Sequence, residues 1–208
     1  MCPLGNCCEH GNEYWVSLSL NTHVDSILPK LSACYAMMIK PYLSQQLLKV
    51  IYYSYFHSIM SYGVIFWGHV KNTIRVFRLQ KRILRIITGC GMRDPCRKLF
   101  IELKILTFLS LYIYQLIMFV NKNSELYITN DSIHNYNTRL KKNLHQPVTN
   151  LTQYQNGVLC KGTKMYNSLP TYIKEASTNT KKFAKVLKMF LYEKAFYTLD
   201  EFYTYHCE

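Results

Sequence analysis

Acidic residues are few and dispersed in this chain. Twelve Asp and Glu stand against 25 Lys and Arg, and the aspartates Asp25, Asp94, Asp131 and Asp200 lie far apart. Two-metal phosphoryl chemistry needs several carboxylates converging on one point, so the scatter argues against a polymerase or nuclease centre. Only Asp200 and Glu201 are adjacent, in an aromatic tail, where they read as a solvated helix end. No catalytic residue and no cofactor is expected.

Properly spaced metal-ligand pairs are lacking too. Cys2, Cys7, Cys8 and His10 cluster near the start without a second pair, and Cys90 and Cys96 flank a turn at a spacing too long for a zinc knuckle. The latter two are expected to pack at a helix junction, and no metal site is expected. With no secretory leader, the eight cysteines should stay reduced, in the cytosol or nucleus rather than outside the cell. There is no internal repeat and no module with a readable nucleic-acid code.

What is present is positive charge and aromatic bulk. A formal charge of +13 and a pI near 9.3 favour polyanionic partners. With 49% hydrophobic residues, 18 tyrosines and 10 phenylalanines, the chain can offset its conformational entropy and fold.

Periodicity predicts helices over about Asp25 to Lys40, Ser44 to Phe66, Asn72 to Thr88, and Phe108 to Lys122. Ser44 and Asn72 are candidate N-caps and Gly89 a candidate C-cap; Asp94-Pro95 reads as the start of a helix through CRKLFIELKIL. Tyr14 to Leu20 alternates like one short strand. Residues 123–150 are rich in Asn, Ser and Thr and predict a long exposed connector. A weaker helix is expected from about Thr152 to Asn167, interrupted by Gly157 and Gly162, and a stronger one from Thr180 to about Ala195. On the stronger helix Phe183, Val186, Leu187, Phe190 and Leu191 form an apolar face, with Lys181, Lys182, Lys185 and Lys188 opposite as a solvated face.

Val50 to Val70 and Ile105 to Asn121 carry no formal charge and mimic membrane spans. The first is diluted by Tyr52, Tyr53, Tyr55, Tyr62, His57 and His69 and the second is short, so both read as buried bundle helices. Stacking of Tyr53 or Trp67 on a nucleic-acid base is a lesser reading of the same segment.

The segment over Asn72 to Thr88 carries the functional signal. At about 100 degrees per residue, Val76, Phe77, Leu79, Ile83, Leu84, Ile86 and Ile87 share one face, and Arg75, Arg78, Lys81, Arg82 and Arg85 the other. Arg93, Arg97 and Lys98 extend the basic surface. Such a stripe can follow a phosphate backbone, since guanidinium forks match phosphate oxygens.

Several blocks, in order, carry a likeness: SLSLNTHVDSILPKLSACYAMMIKPYLS from Ser17, SYGVIFWG, LQKRILRIITG, LFIELKIL, IHNYNTR, NLTQYQNGV, MYNSLPTYIK and FYTLDEF. Together they resemble the region after the catalytic core of reverse transcriptases from jockey-like non-LTR retrotransposons, the LINE elements. The likeness covers most of the chain; residues from Met1 to about Tyr14 do not fit it and read as a foreign or truncated start. It implies the thumb of an RNA-directed DNA polymerase without fingers, palm or the palm's paired aspartates, so the fragment should not polymerise DNA by itself.

The expected architecture is mainly α: a divergent start with a remnant of the last palm strand over 1–22, a thumb-like bundle over 23–122, the connector over 123–150 and a smaller helical segment over 151–208. Expected partners are RNA, DNA or their hybrid, held through the backbone. The alternatives are an inert remnant or one that docks on an intact reverse transcriptase, and, less favoured, a membrane-associated protein.

Overall fold

The computed structural model describes residues 20–39, 43–133, 141, 143–150 and 152–205. Among them the chain is mostly helical and contains no strand, only an isolated antiparallel bridge between Thr129 and Leu144. Most of the alternating segment expected as a strand, and the Cys2, Cys7, Cys8 and His10 cluster, lie outside the described residues.

Helix α1, Leu20–Met38, starts earlier than the periodicity suggested. Val24, Ile27, Leu28, Leu31, Cys34 and Met38 recur at helical spacing and are buried, and this face lies on the basic helix. Pro29 sits on the exposed side, where the carbonyl it leaves without a partner can be solvated.

Helix α2, Gln45–Ile51, is capped by Ser44, whose hydroxyl accepts from the Leu47 amide at 3.4 Å. It runs into a π-helical turn over Tyr52–His57 and then α3, Ser58–Ser61. The single helix expected over Ser44 to Phe66 is therefore broken. Tyr62 is extended and Gly63 takes φ +58°, after which α4, Val64–Trp67, folds inward. Trp67 is buried and its indole N–H donates to the Tyr62 carbonyl at 3.0 Å. Packing of Trp67 onto Phe108 outweighs continuation of the helix, and its burial removes it as a base-stacking residue; Tyr53 remains exposed.

Helix α5, Thr73–Thr88, ends as expected at Gly89, which takes φ +69° and closes the last turn. Asn72 makes no side-chain cap. Helix α6, Arg97–Leu103, starts after Cys96 rather than at Asp94-Pro95, because the Asp94 carboxylate instead accepts from the Gly91 amide at 2.7 Å. Cys96 is buried and Cys90 half-buried at this junction. Helix α7, Phe108–Lys122, has the expected bounds. Thr107 caps it by accepting from Ser110 N at 3.0 Å, and its own hydroxyl donates to the Phe196 carbonyl at 2.7 Å.

The connector is tied down at its return. Beyond α8, Asn130–Ile133, the His145 amide donates to Ile128 O at 2.7 Å, and the Asn167 carboxamide brackets Leu144 at 2.8 and 3.0 Å. Helix α9, Thr152–Gln155, stops before Gly157, but α10, Val158–Asn167, runs straight through Gly162. A Cβ on Gly162 would stand 2.7 Å from Val120, so glycine there permits α10 to lie close on α7. After Pro170 come α11, Thr171–Glu175, and α12, Thr180–Lys194, which buries Phe183, Leu187, Phe190 and Leu191 while the expected lysines face outward. The last described helix is α13, Leu199–Thr204; Thr198 caps it and the Glu201 carboxylate accepts from Tyr197 N at 2.8 Å. Glu201 thus holds a turn rather than simply facing water. Both α10 and α12 pack on α7, and one apolar cluster runs from Val24 to Phe202.

Among the described residues no single helix is long and apolar enough to cross a membrane, although α6 and α7 together, bent by 53°, match a span in length and composition.

Gly68 shows how tightly this core is assembled. A Cβ there would fall 2.3 Å from the Tyr112 ring and 2.7 Å from the Val64 carbonyl. Gly68→Ala should destabilise the protein by about 2–3 kcal/mol. Urea unfolding checks this, and an unchanged midpoint would show that the ring moves aside freely.

Candidate nucleic-acid interface

Helix α5 is amphipathic because its apolar residues recur on one side, and burial of Val76, Ile83, Leu84 and Ile87 fixes its roll. That roll turns the arginines outward. Within Thr73–Thr88 there is no Asp or Glu to neutralise them.

The eight expected basic residues divide by what they touch. Arg75 pairs with Asp25 at 2.7 Å, with both side chains half or more exposed (58% and 50%). Such a pair contributes little to stability, and Arg75 can exchange it for phosphate. Half-buried Lys81 lies 4.5 Å over the Phe77 ring and 5.4 Å from the Tyr197 ring. Arg85 reaches across to the loop, donating from Nε and Nη2 to the Asp94 carbonyl at 3.2 and 2.9 Å. With the Asp94 carboxylate on Gly91 N, this holds the 89–96 turn against α5. Arg97 pairs with Glu201 at 2.8 Å and lies 4.6 Å over Tyr197.

The other four, Arg78, Arg82, Arg93 and Lys98, are exposed and without a hydrogen-bonding or ionic partner among the described residues. Arg78 and Arg82 are one turn apart on α5. Arg93 is carried by the latched turn and Lys98 by the first turn of α6. The arrangement can engage successive phosphates without first breaking internal bonds.

Two residues important to this surface were not singled out from the sequence. Tyr197 gathers Lys81 and Arg97 around its ring; its hydroxyl is buried without a hydrogen-bond partner, and burial foremost, then the neighbouring Cys96, pushes its pKa up. Nothing local marks it in the sequence. Gln80 is the second, a fully buried carboxamide on the packed face of α5. Its Nε2 donates to Tyr52 Oη at 2.9 Å and Leu106 O at 2.8 Å, and its Oε1 accepts from Phe108 N at 2.8 Å. Gln80 thereby joins α5 to the π turn and to the start of α7. Its position four residues after Val76 and three before Ile83 on the apolar face was the available signal.

His69 Nδ1, beyond α4, is buried without a hydrogen-bond partner among the described residues. Burial, and secondarily Lys161, lowers its pKa from 6.5 to about 4. The folded state thus binds this proton less well than the unfolded chain. The neutral-imidazole contribution to stability is complete above pH 6.5 and is lost as the pH falls through the window to about 4. His69→Gln should flatten that part of the stability profile, followed by circular dichroism in urea; an unaltered slope would assign the acid sensitivity elsewhere.

No metal-binding group of three His, Cys, Asp or Glu occurs among the described residues, and Cys34, Cys90, Cys96 and Cys160 are free. Comparisons with protein-family models, curated proteins and solved structures find no match to this chain.

Proposed function

We propose that the chain is a remnant of a non-LTR retrotransposon reverse transcriptase that grips nucleic-acid backbone without catalysis of its own. The observation that carries this reading is the set of four exposed cations, without an ionic or hydrogen-bonding partner among the described residues, on and beside an acid-free helix whose other face is locked in the core. The likeness of SYGVIFWG and LQKRILRIITG to the post-palm region of such polymerases supports the same role. Contacts of this kind read charge spacing rather than base edges. Fluorescence anisotropy with two RNA/DNA hybrids of unrelated sequence should give affinities within about threefold of one another. Binding confined to one sequence, or none at low salt, would overturn the proposal.

One observation favours a second reading, docking on an intact polymerase. Val50 on α2 is 61% exposed, and Tyr62 and Phe66 at the α3–α4 corner are 79% and 59% exposed. Bulky apolar groups left in water mark contact surfaces. Light scattering with and without a full-length reverse transcriptase separates the two readings, because a persistent monomer that still binds hybrid needs no docking partner.

A further inference from the structure

Away from the basic helix, the 146–149 limb of the connector, the end of α9, one side of α10 and one side of α13 line a cleft of about 600 Å³. That size falls within the range of small-molecule sites, about 300 to 1,000 Å³. Lys161 and Lys164, neighbours along α10, line it together with one carboxylate among the described residues, Asp200. Neither lysine forms an ion pair among the described residues. Lys161 is half-buried, and an ammonium withdrawn from water without a counterion is costly. Its pKa is lowered by burial and then by Lys164, and its field reaches His69, so two ammonium groups here face one carboxylate and positive charge predominates.

The remaining lining has a different character. Lys164 Nζ lies 4.8 Å over the ring of Tyr203, and Leu199 supplies apolar wall. The carboxamides of Gln146 and Asn156 each offer a donor and an acceptor. Inorganic phosphate would satisfy the lysines and leave most of the cleft empty. A phosphate carrying a flat group with hydrogen-bonding edges would use both halves.

We propose that this cleft binds the terminal phosphate of a nucleotide, free or at the end of a strand, with Lys161 and Lys164 on the phosphate oxygens and the nucleoside against Tyr203 and Leu199. The site is separate from the α5 surface and does not depend on the reading proposed for it. Binding should therefore survive Arg78→Gln together with Arg82→Gln.

Isothermal titration of the full chain with adenosine monophosphate, adenosine and inorganic phosphate tests the site. The monophosphate should bind at least tenfold more tightly than either of the others, and Lys161→Gln and Lys164→Gln should each weaken it tenfold or more with unchanged circular dichroism. Asp200→Asn, which removes the opposing charge, should tighten it. Equal affinity for adenosine and its monophosphate, no binding at millimolar monophosphate, or folded lysine variants that bind like wild type would each overturn the proposal. A 5′-phosphorylated trinucleotide compared with its 5′-hydroxyl form separates the two sources. Preference for the phosphorylated strand indicates a strand-end site, and binding of the monophosphate alone indicates a mononucleotide site. Both support the assignment.

Discussion

Replacing Arg78, Arg82, Arg93 and Lys98 together by Gln is expected to weaken binding of an RNA/DNA hybrid at least about a hundredfold at roughly 0.1 M salt. Each phosphate contact contributes about 0.9 to the slope of log affinity against log salt, so four contacts correspond to as much as three to four decades at that concentration. None of the four side chains touches the core, so helix content and the unfolding midpoint should stay as in wild type. Arg85→Gln should behave differently. It releases the 89–96 turn by removing two hydrogen bonds to the Asp94 carbonyl, and so acts on binding through the position of Arg93. A quadruple variant that stays folded and binds hybrid as tightly as wild type would show that the basic stripe is only a solvated face.

The largest effect on stability is expected at Gln80. Gln80→Ala leaves the Leu106 carbonyl and the Phe108 amide unpaired in the core, removes the donor to Tyr52 Oη and opens a cavity. Buried groups stripped of their partners cost more than the bond itself was worth, and the combined loss should be about 3–5 kcal/mol. For a chain of this size the corresponding fall in Tm is roughly 10 °C. Gln80→Glu should fare no better, because a carboxylate keeps an acceptor for Phe108 N but can no longer donate to Leu106 O. A loss below about 1 kcal/mol in Gln80→Ala would mean that water replaces the carboxamide.

Where charge and apolar residues separate cleanly around a helix, the sequence predicts the structure closely. This holds for α5 with its Gly89 terminus and for the outward lysines of α12. It fails where tertiary packing outweighs local periodicity. The uncharged aromatic run from Val50 onward offers no polar stripe to fix its roll. The π turn, the Gly63 corner and the inward fold of Trp67 are set by partners such as Phe108 that are distant in the chain. The last helix was legible in principle, since Thr198 followed three residues later by Glu201 has capping-box spacing. Its aromatic neighbours obscure that signal.

For the site, the eight basic residues could be named from the sequence, but their division could not. Which arginines are engaged depends on Asp25, Glu201 and the Asp94 carbonyl, which folding brings to them from 50, 104 and 9 residues away. Tyr197, the ring beside two of the cations, lies about a hundred residues beyond them and carries no motif.

If this chain holds nucleic acid through backbone phosphates, as proposed, its binding of hybrid must weaken with salt in proportion to the phosphates engaged. Measured by anisotropy between about 50 and 300 mM salt, log affinity against log salt should be linear with a slope of about −3 to −4. A slope near zero would contradict the claim, because binding that displaces no counterions does not run along phosphates.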